Sequence, residues 1–308
     1  MSSPRLLVLW TLAAGLLLGP VAPAFARPDL SRDDLSRADL SRAADPVTVV
    51  AVGDIACQPG QRSTSDSCRQ AATATLAGKV APDAVLALGD TQYERGAFKA
   101  FQRSYDKSWG ALKGITAAIP GNHEYGTSGA AGFYRYFGLS SPGYRVTTLG
   151  AWRVYLLNSN CDFIDCSAER AWLEADLGAH PVACSAIAMH FPRYSSGEHG
   201  SDPGLKGFWR IARRHGVDLA LAGHDHDYER FAPMDAAGRI DKKRGIVSFV
   251  VGTGGRSLYS RASHPAGSRY FRNDRFGVLV LTLSDTRMSW EFRAVGGGVR
   301  DAGSRACH

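Results

Sequence analysis

Six polar side chains able to bind metal ions follow short apolar segments of this sequence, each within four residues of the segment's end. They are Asp54, Asp90, Asn122, His190, His224 and His226. Taken singly, a Gly-Asp pair after a strand is commonly only a turn, and a lone histidine is more often an ordinary core or surface group. Hard oxygen donors and imidazoles together at corresponding strand ends instead predict a site for two transition-metal ions.

The apolar segments have the length and composition of strands that are buried on both faces. They cover residues 47–52, 84–88, 115–119, 183–189, 217–222 and 246–251. Helical patterns occupy residues 69–79, 97–109, 167–177 and 205–215, with Ser167 as the expected N-cap of the third. Hairpins are predicted at residues 144–158 and 276–293. This order predicts a layered α/β fold, with one mixed sheet or two packed sheets and a ligand crevice beyond the strand ends.

Five motifs occur in the order GD, GDxxY, GNHE, H and GHxH between Asp54 and Arg230. In this order they resemble the calcineurin-like metallophosphoesterase superfamily. Tyr93 in the second motif, and the sequence GHDHDYER at the last, resemble the purple acid phosphatase branch. The chain looks like a compact bacterial secreted member without a separate N-terminal β-domain. The resemblance implies a four-layer sandwich, in which helices flank two packed mixed β-sheets.

The resemblance also implies how the residues are shared between two metal ions. The first ion, Fe(III) in that branch, would be held by Asp54, Asp90, Tyr93 and His226. The second, a divalent iron, zinc or manganese ion, would be held by Asp90, Asn122, His190 and His224. Asp90 would bridge the two ions, and the metal charge would deprotonate Tyr93. The alternative role for Tyr93 is a hydrogen bond to a ligand rather than to the metal.

Two further histidines match the family's catalytic groups. His123 corresponds to the histidine that contacts the phosphate, and His199 lies near the place of the one that protonates the leaving alkoxide. The spacing of His199 departs from the family pattern, and its alternative is an ordinary loop histidine. Glu124 and Glu229 either hold the metal-binding residues in place or have a purely structural role.

These residues predict a metal-dependent phosphoric ester hydrolase of acid phosphatase type. It is expected to hydrolyse phosphomonoesters by attack of a metal-bound hydroxide, without a protein nucleophile. The sequence contains neither the G-x-S-x-G elbow of serine hydrolases nor a P-loop. Two alternatives remain: a phosphodiesterase of the same superfamily, and a non-catalytic cell-surface interaction protein that keeps the fold. The complete ligand set argues against the second.

The N-terminus has the order of a secretory signal. A single charge, Arg5, precedes an apolar run, and Ala24-Phe25-Ala26 supplies a cleavage site, so residues 1–26 are expected to be removed after Ala26. An uncleaved anchor is the alternative. Residues 27–45 repeat Asp-Leu-Ser-Arg and predict a charged linker, which leaves residues 46–308 as the catalytic domain. The mature protein is expected to be secreted, with no stable membrane span.

Six cysteines remain after that cleavage: Cys57, Cys68, Cys161, Cys166, Cys184 and Cys307. An even number in an exported chain favours disulfides, and no pair has the C-x-x-C spacing of a zinc site. Short loops favour the pairs Cys57–Cys68 and Cys161–Cys166. The remaining two cysteines would then form the third pair, although other pairings are open in principle.

The composition sets limits on the class of protein. Hydrophobic residues make up 44% of the 308 residues and charged residues 21%, which excludes disorder over most of the chain. The sequence has only one long uncharged stretch, at the N-terminus, which excludes a multi-span membrane protein. The formal net charge of +7 suits an anionic partner such as a phosphate ester. The basic residues form no pattern that indicates specific nucleic-acid binding.

Overall fold

Two mixed β-sheets pack face to face in the computed structural model, which describes residues 45–308. The first sheet has the order β13-β12-β11-β1-β2-β3. Its strands are β1 (Val47–Val52), β2 (Ala84–Leu88), β3 (Thr116–Ile119), β11 (Gly277–Ser284), β12 (Arg287–Ala294) and β13 (Val299–Ala306). β1, β2 and β3 are parallel, whereas β11, β12 and β13 join by antiparallel pairing.

The second sheet has seven strands in the order β10-β8-β9-β7-β6-β5-β4. They are β4 (Arg145–Leu149), β5 (Trp152–Leu156), β6 (Ser185–Ala188), β7 (Leu219–Ala222), β8 (Tyr228–Phe231), β9 (Val247–Val251) and β10 (Ser268–Arg272). β5, β6, β7 and β9 run parallel, and the other three strands pair antiparallel. Both predicted hairpins, β4–β5 and β11–β12, are confirmed.

Side-chain alternation along the strands produces three apolar cores. Val49 and Ala51 of β1 face the second sheet, and Val50 and Val52 face the outer helices. Successive side chains of a strand point to opposite faces, so a fully apolar strand packs on both sides. The second sheet does the same, with Ile187 of β6 packed under helices on its outer face. The predicted four-layer α/β sandwich is therefore confirmed.

The outer layers hold six α-helices in the described residues. They are α1 (Gln70–Val80), α2 (Phe98–Arg103), α3 (Tyr105–Ser108), α4 (Ala131–Phe137), α5 (Cys166–Ala179) and α6 (Lys206–Arg214). The first four cover the first sheet, and α5 and α6 cover the second.

Two local predictions for the helices are wrong. The single helix expected over residues 97–109 is broken at Ser104, which has non-helical φ and ψ angles. The hydroxyl of Ser104 donates to the carbonyl of Cys57 at 2.6 Å, a bond that competes with helical geometry. The N-cap of α5 is Asp165 instead of Ser167, because the Asp165 carboxylate accepts the N–H groups of Ser167 and Ala168 at the start of the helix.

Three disulfides join Cys57 to Cys68, Cys161 to Cys166, and Cys184 to Cys307. The two pairs favoured by loop length and the third pair that they leave are therefore confirmed, and every cysteine of the sequence is in a disulfide. The third bond connects the residue before β6 to the residue after β13, and so ties the two sheets together.

The predicted signal peptide at residues 1–26 lies outside the described residues, as does nearly all of the linker predicted at residues 27–45. Regular structure in the described part begins at Val47. The start of the catalytic domain at residue 46 remains a prediction. Within residues 45–308, none of the helices has the length and apolar character needed to cross a bilayer.

Candidate metal centre

The carboxyl ends of the parallel strands from both sheets meet at one place. Asp54, Asp90 and Asn122 follow β1, β2 and β3, and His190 and His224 follow β6 and β7. Contacts cross between the sheets: the backbone N–H of His224 donates to Asp54 at 2.8 Å, and His190 Nε2 lies 3.3 Å from Asp90 Oδ2. The strand ends therefore bring the predicted ligands of both sheets together.

Three of the predicted ligands surround the hydroxyl of a fourth, Tyr93. This oxygen lies 2.8 Å from Asp54 Oδ1, 3.1 Å from Asp90 Oδ2 and 2.9 Å from His226 Nε2. His226 Nε2 is also 3.4 Å from Asp54 Oδ1. These are the four residues that the resemblance assigns to the first ion.

The other predicted ligands also gather near Asp90, where His190 Nε2 approaches the same carboxylate oxygen as the Tyr93 hydroxyl. His190 Nε2 lies 3.1 Å from Asn122 Oδ1, and donor atoms of Asp90, His190 and His224 lie within 4.8 Å of one another. Asp90 is common to both groups of donors. One carboxylate therefore contacts both sets of side chains, as a bridging ligand requires.

The chemistry of this donor set fits metal ions. Asp54, Asp90 and Tyr93 are almost fully buried, and in the described part of the chain the two carboxylates form no ion pair with lysine or arginine. Burial and the nearby carboxylates raise the pKa of Tyr93 well above its usual range. Burial and the neighbouring His190 hold the pKa of His224 far below its usual range, which leaves a neutral imidazole with a free lone pair. Buried anionic oxygens and neutral imidazoles are the donors of transition-metal sites.

Three of the predicted ligands have strained backbones. Asp54, Asp90 and His224 have φ angles of 60°, 47° and 74°, a left-handed conformation that costs residues other than glycine about 1–3 kcal/mol each. Gly121 permits the turn beside Asp90, because a Cβ at that position would come within 2.1 Å of Asp90 Oδ1. The surrounding fold holds these side chains in directions that a relaxed turn would not give them.

Glu124 fixes the backbone around Asp90. Its carboxylate accepts the backbone N–H groups of Asp90, Gln92 and Gly121 at 2.9, 3.1 and 2.7 Å, and the Thr91 hydroxyl at 3.0 Å. The structure therefore favours, for Glu124, the role of holding a metal-binding residue in place, since its bonds surround Asp90. Glu229 binds the serines Ser196 and Ser268 instead.

Hydrogen bonds to the Nδ1 atoms, which point away from the predicted metal site, orient two of the histidines. His190 Nδ1 lies 2.8 Å from the carbonyl oxygen of Leu88, so this nitrogen carries a hydrogen and Nε2 is directed toward Asp90. His226 Nδ1 lies 2.9 Å from the Ser257 hydroxyl, with Nε2 toward Tyr93. Such outer bonds fix the ring orientation of metal-binding histidines.

His123 lies at the edge of the site. Its Nδ1 lies 2.6 Å from the carbonyl oxygen of Glu94, and its Nε2 lies 3.9 Å from Asp90 Oδ2. The ring lies 4.3 Å from that of Tyr93, and the side chain keeps 32% of its surface exposed. His123 is therefore close to the predicted ligands and open to a substrate.

His199 stacks on the ring of His224 at a centroid distance of 4.3 Å. The loop that carries it is held by Asp225, which accepts the backbone N–H groups of His199 and Gly200 at 2.8 and 3.1 Å. The structure thus brings His199 to the side of the second group of donors. His180, His215 and His308 instead pair with acidic residues outside the site.

A model of the family described as calcineurin-like phosphoesterase matches residues 47–228, which are more than half of the chain. The chain belongs to the calcineurin-like phosphoesterase family. The family predicted from the motifs is therefore confirmed, and membership supports the predicted class of enzyme, a metal-dependent hydrolase of phosphoric esters. The family also implies a dinuclear metal centre, and the identity of the metals stays a prediction.

Three individual proteins show how far the similarity extends. An uncharacterized protein of Mycobacterium tuberculosis is 29% identical over 116 residues, 30% of this chain and 22% of the relative. Tartrate-resistant acid phosphatase type 5 of Sus scrofa is 26% identical over 228 residues, 62% of this chain and 67% of the relative. Purple acid phosphatase PPD1 from yellow lupin, Lupinus luteus, has a TM-score of 0.71 at 19% identity, over 85% of this chain and 54% of the lupin chain.

The chain thus spans less than a quarter of the mycobacterial relative and about half of the lupin protein. The likeness to the lupin structure shows a shared fold.

Asp225 and Tyr259 contact residues of the predicted site, and neither was predicted from the sequence. Asp225 lies between His224 and His226 and anchors the His199 loop. Tyr259 stacks on the ring of His226 at 3.8 Å, with an angle of 7° between the planes. The position of Asp225 inside the GHDHD motif was a signal for it, whereas Tyr259 lies in a segment without any motif.

Proposed function

We propose that this phosphoesterase hydrolyses phosphomonoesters with two metal ions, as an acid phosphatase. The observation that carries the proposal is the position of Asp90, whose Oδ2 lies 3.1 Å from the Tyr93 hydroxyl and 3.3 Å from His190 Nε2. One buried carboxylate is therefore shared by two groups of donors. This is what a two-metal phosphoesterase centre needs.

The first ion is proposed to bind the four residues around the Tyr93 hydroxyl: Asp54, Asp90, Tyr93 and His226. The second is proposed to bind Asp90 together with the other group of donors: Asn122, His190 and His224. When bound, the ions supply Lewis acidity toward the phosphoryl oxygens and toward water. A phenol and two carboxylates favour Fe(III) at the first position, and the mixed nitrogen and oxygen donors suit divalent iron, zinc or manganese at the second.

His123 is proposed to bind the phosphoryl group. The carbonyl of Glu94 engages its Nδ1, so a protonated His123 directs Nε2–H into the site, where a phosphoryl oxygen can accept it. Its partial exposure leaves room for a substrate. Such a bond, strengthened as charge develops in the transition state, increases the rate without holding the metal.

His199 is proposed to protonate the leaving alkoxide. Its ring lies against His224, at the side of the second group of donors, and Asp225 fixes the loop through two backbone bonds. A general acid must reach the leaving oxygen within hydrogen-bond distance, and this loop brings His199 to the edge of the site.

Secretion is part of the proposal. The three disulfides are typical of proteins in oxidising compartments, and the predicted signal sequence supplies the route. N-terminal sequencing of the protein from the culture medium is expected to find Arg27 as the first residue. An intact Met1, or protein retained inside the cells, would contradict export.

The activity is tested with a chromogenic phosphomonoester and the matching diester, with metal-loaded protein. The proposal requires turnover of the monoester and a preference for it over the diester, with turnover lost in Asp90→Asn and kept in Asp66→Asn, an exposed aspartate in a surface loop. A preference for the diester would make the protein a phosphodiesterase. Turnover of neither compound would overturn the catalytic proposal.

A further inference from the structure

We propose that this phosphoesterase carries a second anion site beside the metal centre, which binds an additional phosphate group of its substrate. The inference rests on the proposed function and narrows the substrate to small esters with two or more phosphate groups. It comes from a surface pocket of about 360 Å³ that Tyr93, Glu94, Arg95, Lys99 and Arg103 line together with neighbouring residues.

The pocket and the proposed metal centre share a wall. Tyr93, whose hydroxyl contacts Asp54, lines the pocket as well. The next residue, Glu94, binds His123 through its carbonyl and contributes to the pocket too. A substrate phosphate at His123 therefore lies close to the pocket, and a second phosphate on the same molecule can enter it.

The pocket has an excess of positive charge. Arg95, Lys99 and Arg103 follow one another at intervals of four residues, and all three are exposed. Arg95 precedes α2, whereas Lys99 and Arg103 lie on it. None of them forms an ion pair with an acidic group of residues 45–308. The acidic lining residue, Glu94, is already paired with Arg256 at 2.8 Å. Within the described part of the chain, the three cations are thus left uncompensated.

This arrangement costs stability unless an anion is present. Lys99 and Arg103 lie four residues apart on α2, a spacing at which like charges repel each other. A phosphate dianion between them removes that repulsion and accepts charge-assisted hydrogen bonds from arginine and lysine. The Arg95 side chain is already oriented, because its Nε donates to the carbonyl of Gly126 at 3.0 Å.

The test compares fructose monophosphate with fructose bisphosphate as substrates. We expect the wild type to have the lower KM for the bisphosphate. In the double variant Lys99→Gln/Arg103→Gln, the KM for the bisphosphate should rise about tenfold relative to the KM for the monophosphate. This is the size expected for two lost charge contacts at an exposed site. Raising the salt concentration should reduce the wild-type preference in the same direction.

The matched control is Lys206→Gln/Arg210→Gln. Like Lys99 and Arg103, these two residues are an exposed lysine and an exposed arginine four positions apart. They lie instead on α6, which covers the other sheet. The control should keep the wild-type ratio of KM values. If both double variants shift the ratio equally, or neither shifts it, the pocket does not bind the second phosphate.

Calorimetry with the full chain separates this inference from the proposed function. If no phosphomonoester is hydrolysed, the proposed function fails, and the binding of fructose bisphosphate still tests the pocket. Tighter binding of the bisphosphate than of the monophosphate, weakened in Lys99→Gln/Arg103→Gln but not in the control, supports the anion site. Equal binding of the two sugars by the wild type overturns it.

Discussion

Asp90 connects the two groups of donors, whereas His123 contacts only their edge. Asp90→Asn is therefore expected to lower the content of both metals and to abolish turnover. His123→Ala should keep the metal and lose about a hundredfold or more in kcat, because its bond to the phosphoryl group forms in the transition state. Elemental analysis and steady-state kinetics measure the two effects.

The control for His123→Ala is His264→Ala, which removes an exposed histidine from a loop. It should change neither metal content nor kcat. Loss of metal from His123→Ala to the extent seen in Asp90→Asn would show that His123 is a ligand and that its assigned role is wrong.

Tyr93 determines whether the protein belongs with the coloured members of the family. With iron bound, a phenolate ligand gives a charge-transfer band in the visible, so the wild type should be coloured and Tyr93→Phe colourless. Activity should fall less than in Asp90→Asn, because three other ligands of that ion remain. Tyr144→Phe, a tyrosine packed on Trp172 outside the site, should keep the band. A band that survives in Tyr93→Phe would show that Tyr93 only donates a hydrogen bond to Asp54.

Helix α5 carries a buried carboxyl group that should make stability depend on pH. Burial raises the pKa of Glu169 from 4.5 to about 8, against the opposing effect of the Asn158 N–H that it accepts. Between these values the folded state keeps a proton that the unfolded state has lost, so the free energy of unfolding falls as pH rises. Glu169→Gln resembles the protonated form and should flatten this dependence.

Urea denaturation at several pH values across that window measures the effect. The wild type should lose on the order of a few kcal/mol from the acidic to the basic end of the window. Glu291→Gln, which replaces a partly exposed glutamate on β12, should follow the wild type. Parallel profiles for the wild type and Glu169→Gln would show that Glu169 does not keep its proton in the folded state.

The elements that sequence analysis predicted are those whose residues form continuous apolar runs. β1 and β9 are apolar on both faces, and their patterns stand out without knowledge of the fold. β8 and β13 carry charged residues such as Arg230 and Asp301, which pair with each other only after folding, so neither strand has a recognisable apolar run. The break at Ser104 likewise depends on a carbonyl 47 residues away in the chain.

The same distinction applies to the site. The predicted ligands were recognisable because each follows a strand in a short motif. Tyr259, by contrast, reaches His226 through a loop whose path only the folded chain defines. The proposed anion site beside Tyr93 depends on the orientation of a short helix and on the Glu94–Arg256 pair. Contacts of this kind leave no periodic signal in the sequence.

At the scale of the whole molecule, the disulfide between Cys184 and Cys307 closes a loop of 123 residues. In the chain-entropy model, a loop of that length contributes about 5 kcal/mol, against about 2 kcal/mol for a loop as short as that of Cys161–Cys166. Replacing Cys184 and Cys307 by alanine should therefore destabilise the protein more than replacing the short-loop pair. Denaturant titration measures both. Equal losses, or a larger loss for the short loop, would contradict this account.

The separation of the donors between the two sheets has a consequence for the lifetime of the protein. Asp54, Asp90 and Asn122 come from one sheet, and the histidines come from the other. A complete set of donors exists only after the sheets have docked, so ions bind the docked state and stabilise it by mass action. We expect a chelator to speed digestion by added protease, at cuts near the strand ends. If chelation leaves the digestion rate unchanged, ion binding and docking are independent. If chelation does speed digestion, the supply of metal controls the lifetime of the folded protein as well as its activity.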